Sequence, residues 1–151
     1  MQPVDLTASE ISVRLGATWL TLEIIEEFMF ELFSTPRYCQ WNIHVHYAQY
    51  TGEWNVEGKS YDRSNVKAYN TYGTGRVNGY KIMEETLNLR DVRIFDYIED
   101  GNGMKTALLN KKETAIAQGK QELIKQAFAD WIWSDPERRE QLTKLYNEKF
   151  N

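Results

Sequence analysis

One cysteine, three prolines, two histidines and no long apolar run are the first things the 151-residue sequence reveals. A lone Cys39 excludes an internal disulfide framework and points to a reducing, cytoplasmic setting. No stretch approaches the roughly 20 apolar residues of a membrane-spanning helix. The opening Met1-Gln2-Pro3-Val4-Asp5 lacks the basic start and apolar stretch of a signal peptide. A basic excess is missing too. Net charge is −4, and residues 1–58 hold Arg14 and Arg37 against eight acids. Phosphate contacts supply most of the affinity of an autonomous DNA binder, so strong independent binding is not expected. Any nucleic-acid contact has to come from a local patch in the later two-thirds.

Aromatic residues, by contrast, are abundant: five Trp, nine Tyr and six Phe in a chain that is 42% apolar. That payload implies a packed core, and the length suits one domain. The periodicities predict an α+β fold. Thr7-Ala8-Ser9-Glu10 has capping-box spacing and predicts a short helix ending at Gly16. Thr21 predicts the N-cap of a helix whose stripe is Leu22, Ile25, Phe28, Met29, Leu32 and Phe33, stopped by Pro36. Ile43, Val45 and Tyr47 alternate with His44 and His46, and Trp54-Asn55-Val56-Glu57 returns after a turn, giving a hairpin over about 42–58. A helix is expected from Thr74 or Gly75 to Leu87, with Val77, Tyr80, Met83, Glu84 and Leu87 on one face. A strand over Asp91–Tyr97, the turn Glu99-Asp100-Gly101-Asn102-Gly103 and a return over Met104–Leu109 predict a second hairpin, about 91–109. Together these make a small antiparallel sheet of hairpins packed against helices. Asn110 opens a long helix, 111–133, with Ile116, Leu123, Ile124, Ala127, Phe128 and Trp131 as its stripe. Asp135-Pro136 starts the last helix, 136–150, completing a helical C-terminal hairpin.

Candidate chemistry is sparse. His44 and His46 share a strand face and could meet one metal ion, but a third ligand is short, which favours two polar residues on a solvent face. Cys39 carries no signature of a nucleophile, and no Gly-x-Ser-x-Gly elbow exists. Gly73-Thr74-Gly75-Arg76-Val77-Asn78-Gly79 resembles an anion-binding glycine turn ahead of a helix, yet fits neither the dinucleotide nor the triphosphate pattern. A phosphate contact there would draw on Lys59, Arg63, Lys67, Tyr72, Arg76 and Asn78, with Tyr69 adding a stacking surface. Trp41, Tyr50 and Trp54 offer an alternative reading as a protein-interaction surface. A small stand-alone metal enzyme centred on His44 and His46 is the other alternative.

Several strings point further. They are Val13-Arg14-Leu15-Gly16-Ala17-Thr18-Trp19, Tyr50-Thr51-Gly52-Glu53-Trp54-Asn55-Val56 and Tyr72-Gly73-Thr74-Gly75-Arg76-Val77-Asn78. Thr86-Leu87-Asn88-Leu89-Arg90-Asp91-Val92, Leu109-Asn110-Lys111-Lys112-Glu113-Thr114 and Tyr146-Asn147-Glu148-Lys149-Phe150-Asn151 follow in order. This set resembles the region that links the adenine-specific DNA methylase and Swi/Snf-type helicase parts of very large proteins of conjugative elements and phages. The resemblance implies that residues 1–151 are one domain of a larger protein, with those two parts as its partners. It also implies a non-catalytic coupling role with weak contact to DNA. The parent would use S-adenosylmethionine and ATP with magnesium. This chain has no Asn/Asp-Pro-Pro-Tyr/Phe motif and no Gly-Lys-Ser/Thr loop, so no cofactor is expected in it.

Overall fold

The computed structural model describes residues 4–150, so Met1, Gln2, Pro3 and Asn151 lie outside the described residues. The chain is α+β, with two separate two-stranded antiparallel sheets rather than one. Thr7 makes its capping box, but only a single 3-10 turn, Ala8–Glu10, follows. An irregular segment then leads to α1 (Leu22–Phe33), whose first turn is capped by the Thr21 hydroxyl accepting from Ile24 N. Its buried stripe is Ile25, Phe28, Met29 and Phe33, while Leu22 at the first turn is exposed. Ser34 closes α1 in the left-handed conformation, and after Pro36 a one-turn α2 (Arg37–Gln40) begins.

The first hairpin, β1 (His44–Ala48) and β2 (Glu53–Glu57), turns at Gly52 with Tyr47 opposite Trp54. Val45, Trp54 and Val56 point into the core, and the hairpin lies against α1 and α3 (Gly79–Leu87). A π-turn, Lys67–Thr71, precedes α3. The helix begins at Gly79 rather than at Thr74 or Gly75. Thr74 Oγ1 accepts from Arg76 N and Val77 N and its own N–H donates to Val77 O, which closes a turn where the helix was expected. Asn78 then supplies the cap, accepting from Lys81 N at 2.9 Å.

The second hairpin, β3 (Phe95–Glu99) and β4 (Lys105–Leu109), starts four residues later than the sequence suggests. Residues 91–94 have buried Val92 and Ile94 but no strand partner. Side chains of α4 (Lys111–Ile132) stand in for one. Val92 N donates to Gln121 Oε1, Ile94 N donates to Thr114 Oγ1, and Gln118 Nε2 donates to Val92 O. That is why Thr114 and Gln121 are buried on α4 while Ile116 and Leu123, placed on the stripe by periodicity, are exposed. The inward row is Thr114, Ala117, Gln121, Ile124, Phe128 and Ile132. Phe128 meets Phe28 edge to face at 5.1 Å between centroids, joining α4 to α1. At the corner into α5 (Pro136–Phe150), the Arg138 guanidinium lies 3.6 Å from the Trp131 ring centre and donates to Trp131 O. The Asn147 side chain on α5 bonds both Leu6 N and Leu6 O, clipping the start of the described chain to its end. No helix among the described residues is long and apolar enough to cross a membrane.

Candidate functional site

Two buried polar centres hold the middle of the chain together. Glu84, 7% exposed, accepts from Val56 N, Asn55 Nδ2 and Lys59 Nζ on one carboxylate oxygen and from Lys81 Nζ on the other. Burial pushes its carboxyl upward, but the bonds from Lys59, Val56 and Lys81 outweigh it and leave the group below its ordinary value. Asp62, 3% exposed, accepts from Tyr80 Oη at 2.9 Å, from Asn65 Nδ2 at 2.6 Å and from Cys39 Sγ at 3.7 Å. Burial raises the Tyr80 hydroxyl and the Cys39 thiol, and the neighbouring carboxylate raises both further. Raised in this way, Cys39 stays a thiol, the form that is a poor nucleophile.

The residues singled out as phosphate contacts divide into two groups. Lys59, Asn78 and Arg76 are engaged inside the protein. Lys59 Nζ sits 2.6 Å from Glu84, and Asn78 Nδ2 donates to Lys59 O at 2.8 Å. Arg76 donates to Asp96, Glu113 and Phe95 O, which fastens the glycine turn to the base of the second hairpin. Tyr72 is half-buried, its ring edge-on to Phe33 at 6.0 Å. Arg63 and Lys67 are different. Both are exposed, and among the described residues their side chains bond the neutral acceptors Ser60 O and Ser34 Oγ alone. Tyr69 is half-buried.

Around Arg63 and Lys67 the chain forms a surface that local sequence patterns do not disclose. Segments 33–42 and 58–67 run past each other in opposite directions, joined at four points. Lys67 Nζ donates to Ser34 Oγ, Asn65 Nδ2 donates to Phe33 O, and Cys39 Sγ donates to Asp62. Gly58, at φ +76°, packs so closely under the Asn42 carbonyl that a Cβ would collide with it. Outward from this seam stand Arg37, Tyr38 and Trp41 from one segment and Tyr61, Arg63 and Lys67 from the other. Tyr38 is 73%, Trp41 80% and Tyr61 54% exposed.

His44 and His46 each have a partner within the protein. His44 Nε2 donates to Trp41 O, and His46 Nε2 lies 2.8 Å from Glu57 Oε2, holding the Glu57 carboxyl below its usual range. No group of three or more His, Cys, Asp or Glu among the described residues is arranged to hold a metal ion. Of the aromatics considered for protein contact, Trp41 and Tyr50 are exposed but Trp54 is buried, its ring tilted against Tyr47 at 4.6 Å between centroids.

The second hairpin is the other exposed feature. Every residue of β4 is exposed, and β3 is exposed from Tyr97 onward. The register places Tyr97 opposite Ala107 and Phe95 opposite Leu109 on one face. Ile98 and Leu108 lie on the other. It is an arm with large apolar side chains on both sides. Elsewhere, a cleft of about 310 Å³ opens between the 13–15 segment, the end of α3 and α4, lined in part by Leu15, Leu89 and Phe128 with Arg14 and Lys125 at its edge.

A model of the family described as a domain of unknown function, DUF8437, matches residues 14–151. The chain belongs to that family. No curated protein and no solved structure matches it. The match begins at Arg14, so the family's region contains both the seam and the arm.

Proposed function

We propose that this DUF8437 domain is a non-catalytic coupling domain of a larger protein, set between a DNA methylase part and a Swi/Snf-type helicase part. In this reading S-adenosylmethionine, ATP and magnesium belong to those neighbouring parts, and this chain holds them in register. The observation that carries the reading is the β3–β4 arm. Tyr97, Ile98, Met104, Leu108 and Leu109 are between 44% and 70% exposed on it. Large apolar side chains on both faces of one short hairpin mark a contact surface. Arg76 braces the arm's base through Asp96, Glu113 and Phe95 O, so the arm is held at a set angle to the body.

The test is to supply the separately purified methylase and helicase parts to this domain and follow association by calorimetry. Binding to one of them is expected, with loss of binding in an Ile98→Ser, Met104→Ser, Leu108→Ser variant whose thermal melt is unchanged. Equal binding by the variant would remove the arm from the account. Absence of binding to either part would remove the coupling role itself.

A further inference from the structure

The charge of this chain is unevenly placed in a way that the net value hides. From Ser34 through Gly52 there is no acidic residue at all. From Gly58 through Met83 there is one, Asp62, and it is buried with three donors on its carboxylate. Apart from Phe33, the two segments that run antiparallel along the seam, 33–42 and 58–67, lie within these stretches. A protein of net charge −4 therefore carries one face on which every exposed charge within these segments is positive. The carboxylates that flank these stretches in sequence have partners of their own: Glu31 accepts from Trp131 Nε1, Glu53 from Arg90, Glu57 meets His46, and Glu84 meets Lys59 and Lys81.

On that face three aromatic rings stand among three cations. Tyr38 and Trp41 are three residues apart on the α2 turn and so project to the same side. Tyr61 is exposed on the opposing segment, which the Cys39–Asp62 bond and the Gly58–Asn42 contact hold against α2 and its C-terminal end. Arg37, Arg63 and Lys67 are exposed on the same two segments, and among the described residues Arg63 and Lys67 bond neutral oxygens alone. Exposed rings interleaved with unneutralised cations suit a flexible polyanion whose bases are free to stack. A duplex keeps its bases stacked on one another and offers rings only its backbone and groove edges.

We propose that the face formed by Arg37, Tyr38, Trp41, Tyr61, Arg63 and Lys67 binds single-stranded nucleic acid, with bases on the rings and phosphates on the cations. The site goes beyond the coupling role and stands whether or not the arm docks on a neighbour. The readings separate because the arm variant leaves this face untouched.

The experiment uses the full chain with fluorescently labelled 20-nucleotide oligo(dT), oligo(U) and a blunt 20-base-pair duplex, followed by anisotropy over a salt series. Single strands are expected to bind more tightly than the duplex, and the dT and U arms compare a DNA strand with an RNA strand. Replacing Tyr38, Trp41 and Tyr61 together by Ala should weaken single-strand binding by about tenfold or more for each base that loses its ring. A Trp41→Phe variant should retain most of the affinity while abolishing the binding-dependent quenching of tryptophan fluorescence that Trp41 contributes. The Arg37→Gln, Arg63→Gln, Lys67→Gln variant should reduce the slope of log K against log salt by about 2. Circular dichroism checks that each variant is folded, which their exposure leads us to expect. Equal or better binding of the duplex overturns the proposal, as does unchanged affinity in the triple aromatic variant or no measurable binding to either oligonucleotide at low salt.

Discussion

Replacing Glu84 by Ala removes the acceptor for four donors at once: Val56 N, Asn55 Nδ2, Lys59 Nζ and Lys81 Nζ. Two of the donors are ammonium groups, and the Lys59 side chain is only 28% exposed. Truncating one partner of a buried pair costs about 3–5 kcal/mol, because the other is left uncompensated. Lys59 and Lys81 retain partial access to water, which places the expected loss at the lower end, about 3 kcal/mol. For a chain of this size that corresponds to a fall in melting temperature of roughly 10 °C. Urea denaturation at pH 7 reads the loss directly. Glu84→Gln adds a pH signature. The Glu84 carboxyl is lowered in the folded state, so its ionised form stabilises the fold above its unfolded value of about 4.5. That contribution is lost as pH falls through the lower folded value. The stability gap between wild type and Glu84→Gln should therefore be full at pH 7 and narrow below pH 4.5. In the Glu84→Ala background, a further Lys59→Ala should cost much less than it does alone. A loss under about 1 kcal/mol for Glu84→Ala, or a gap to Glu84→Gln that is constant down to pH 3, would refute the hub.

Gly58→Ala forces a left-handed residue and a Cβ against the Asn42 carbonyl, so about 2 kcal/mol of destabilisation is expected in a chemical melt. Tyr80→Phe deletes the donor to Asp62 and leaves Thr35 Oγ1 without that neighbour, for a loss of about 1–2 kcal/mol by the same assay. In wild type, spectrophotometric titration should show one tyrosine that remains protonated above the pH at which the exposed ones ionise, because burial and Asp62 raise Tyr80. Arg76→Ala unfastens the arm, so amide exchange across Phe95–Leu109 should accelerate while the amides of α1 keep their protection.

Local chemistry made much of the fold legible. Thr21 and the three- and four-residue spacing through Phe33 mark α1, and Asn110 and Asp135-Pro136 mark the starts of the last two helices. The alternation from Ile43 to Tyr47 marks the first hairpin. Long-range polar bonds decided the rest. Ile116 and Leu123 match a buried stripe, yet Thr114 and Gln121 take the inward positions to bond Arg90 O, Val92 N and Ile94 N, which no strand pairs. Hydrophobic periodicity does not register a polar side chain whose partner is 20 or 29 residues away. Lys59 and Arg76 read as free cations for the same reason: their carboxylates are 25 and 20 or 37 residues distant. The face proposed to stack bases escaped because Tyr38 and Tyr61 are far apart in sequence, on segments that come together only across the seam. The missing acids along both segments were the signal that could have found it.

The clip between Leu6 and Asn147 has a mechanical corollary. Residues 141 positions apart are joined through both the N–H and the carbonyl of Leu6, which makes the folded chain nearly a closed ring. Segments continuing from those two places would leave from one spot instead of from opposite poles. In the proposed coupling role such a body would act as a clasp and not as a strut, bringing its attachments together at the α5 surface. A ring can also be opened elsewhere. Joining the ends with a short linker and cutting at the exposed Asn102-Gly103 turn should give a circular permutant that folds to the same body.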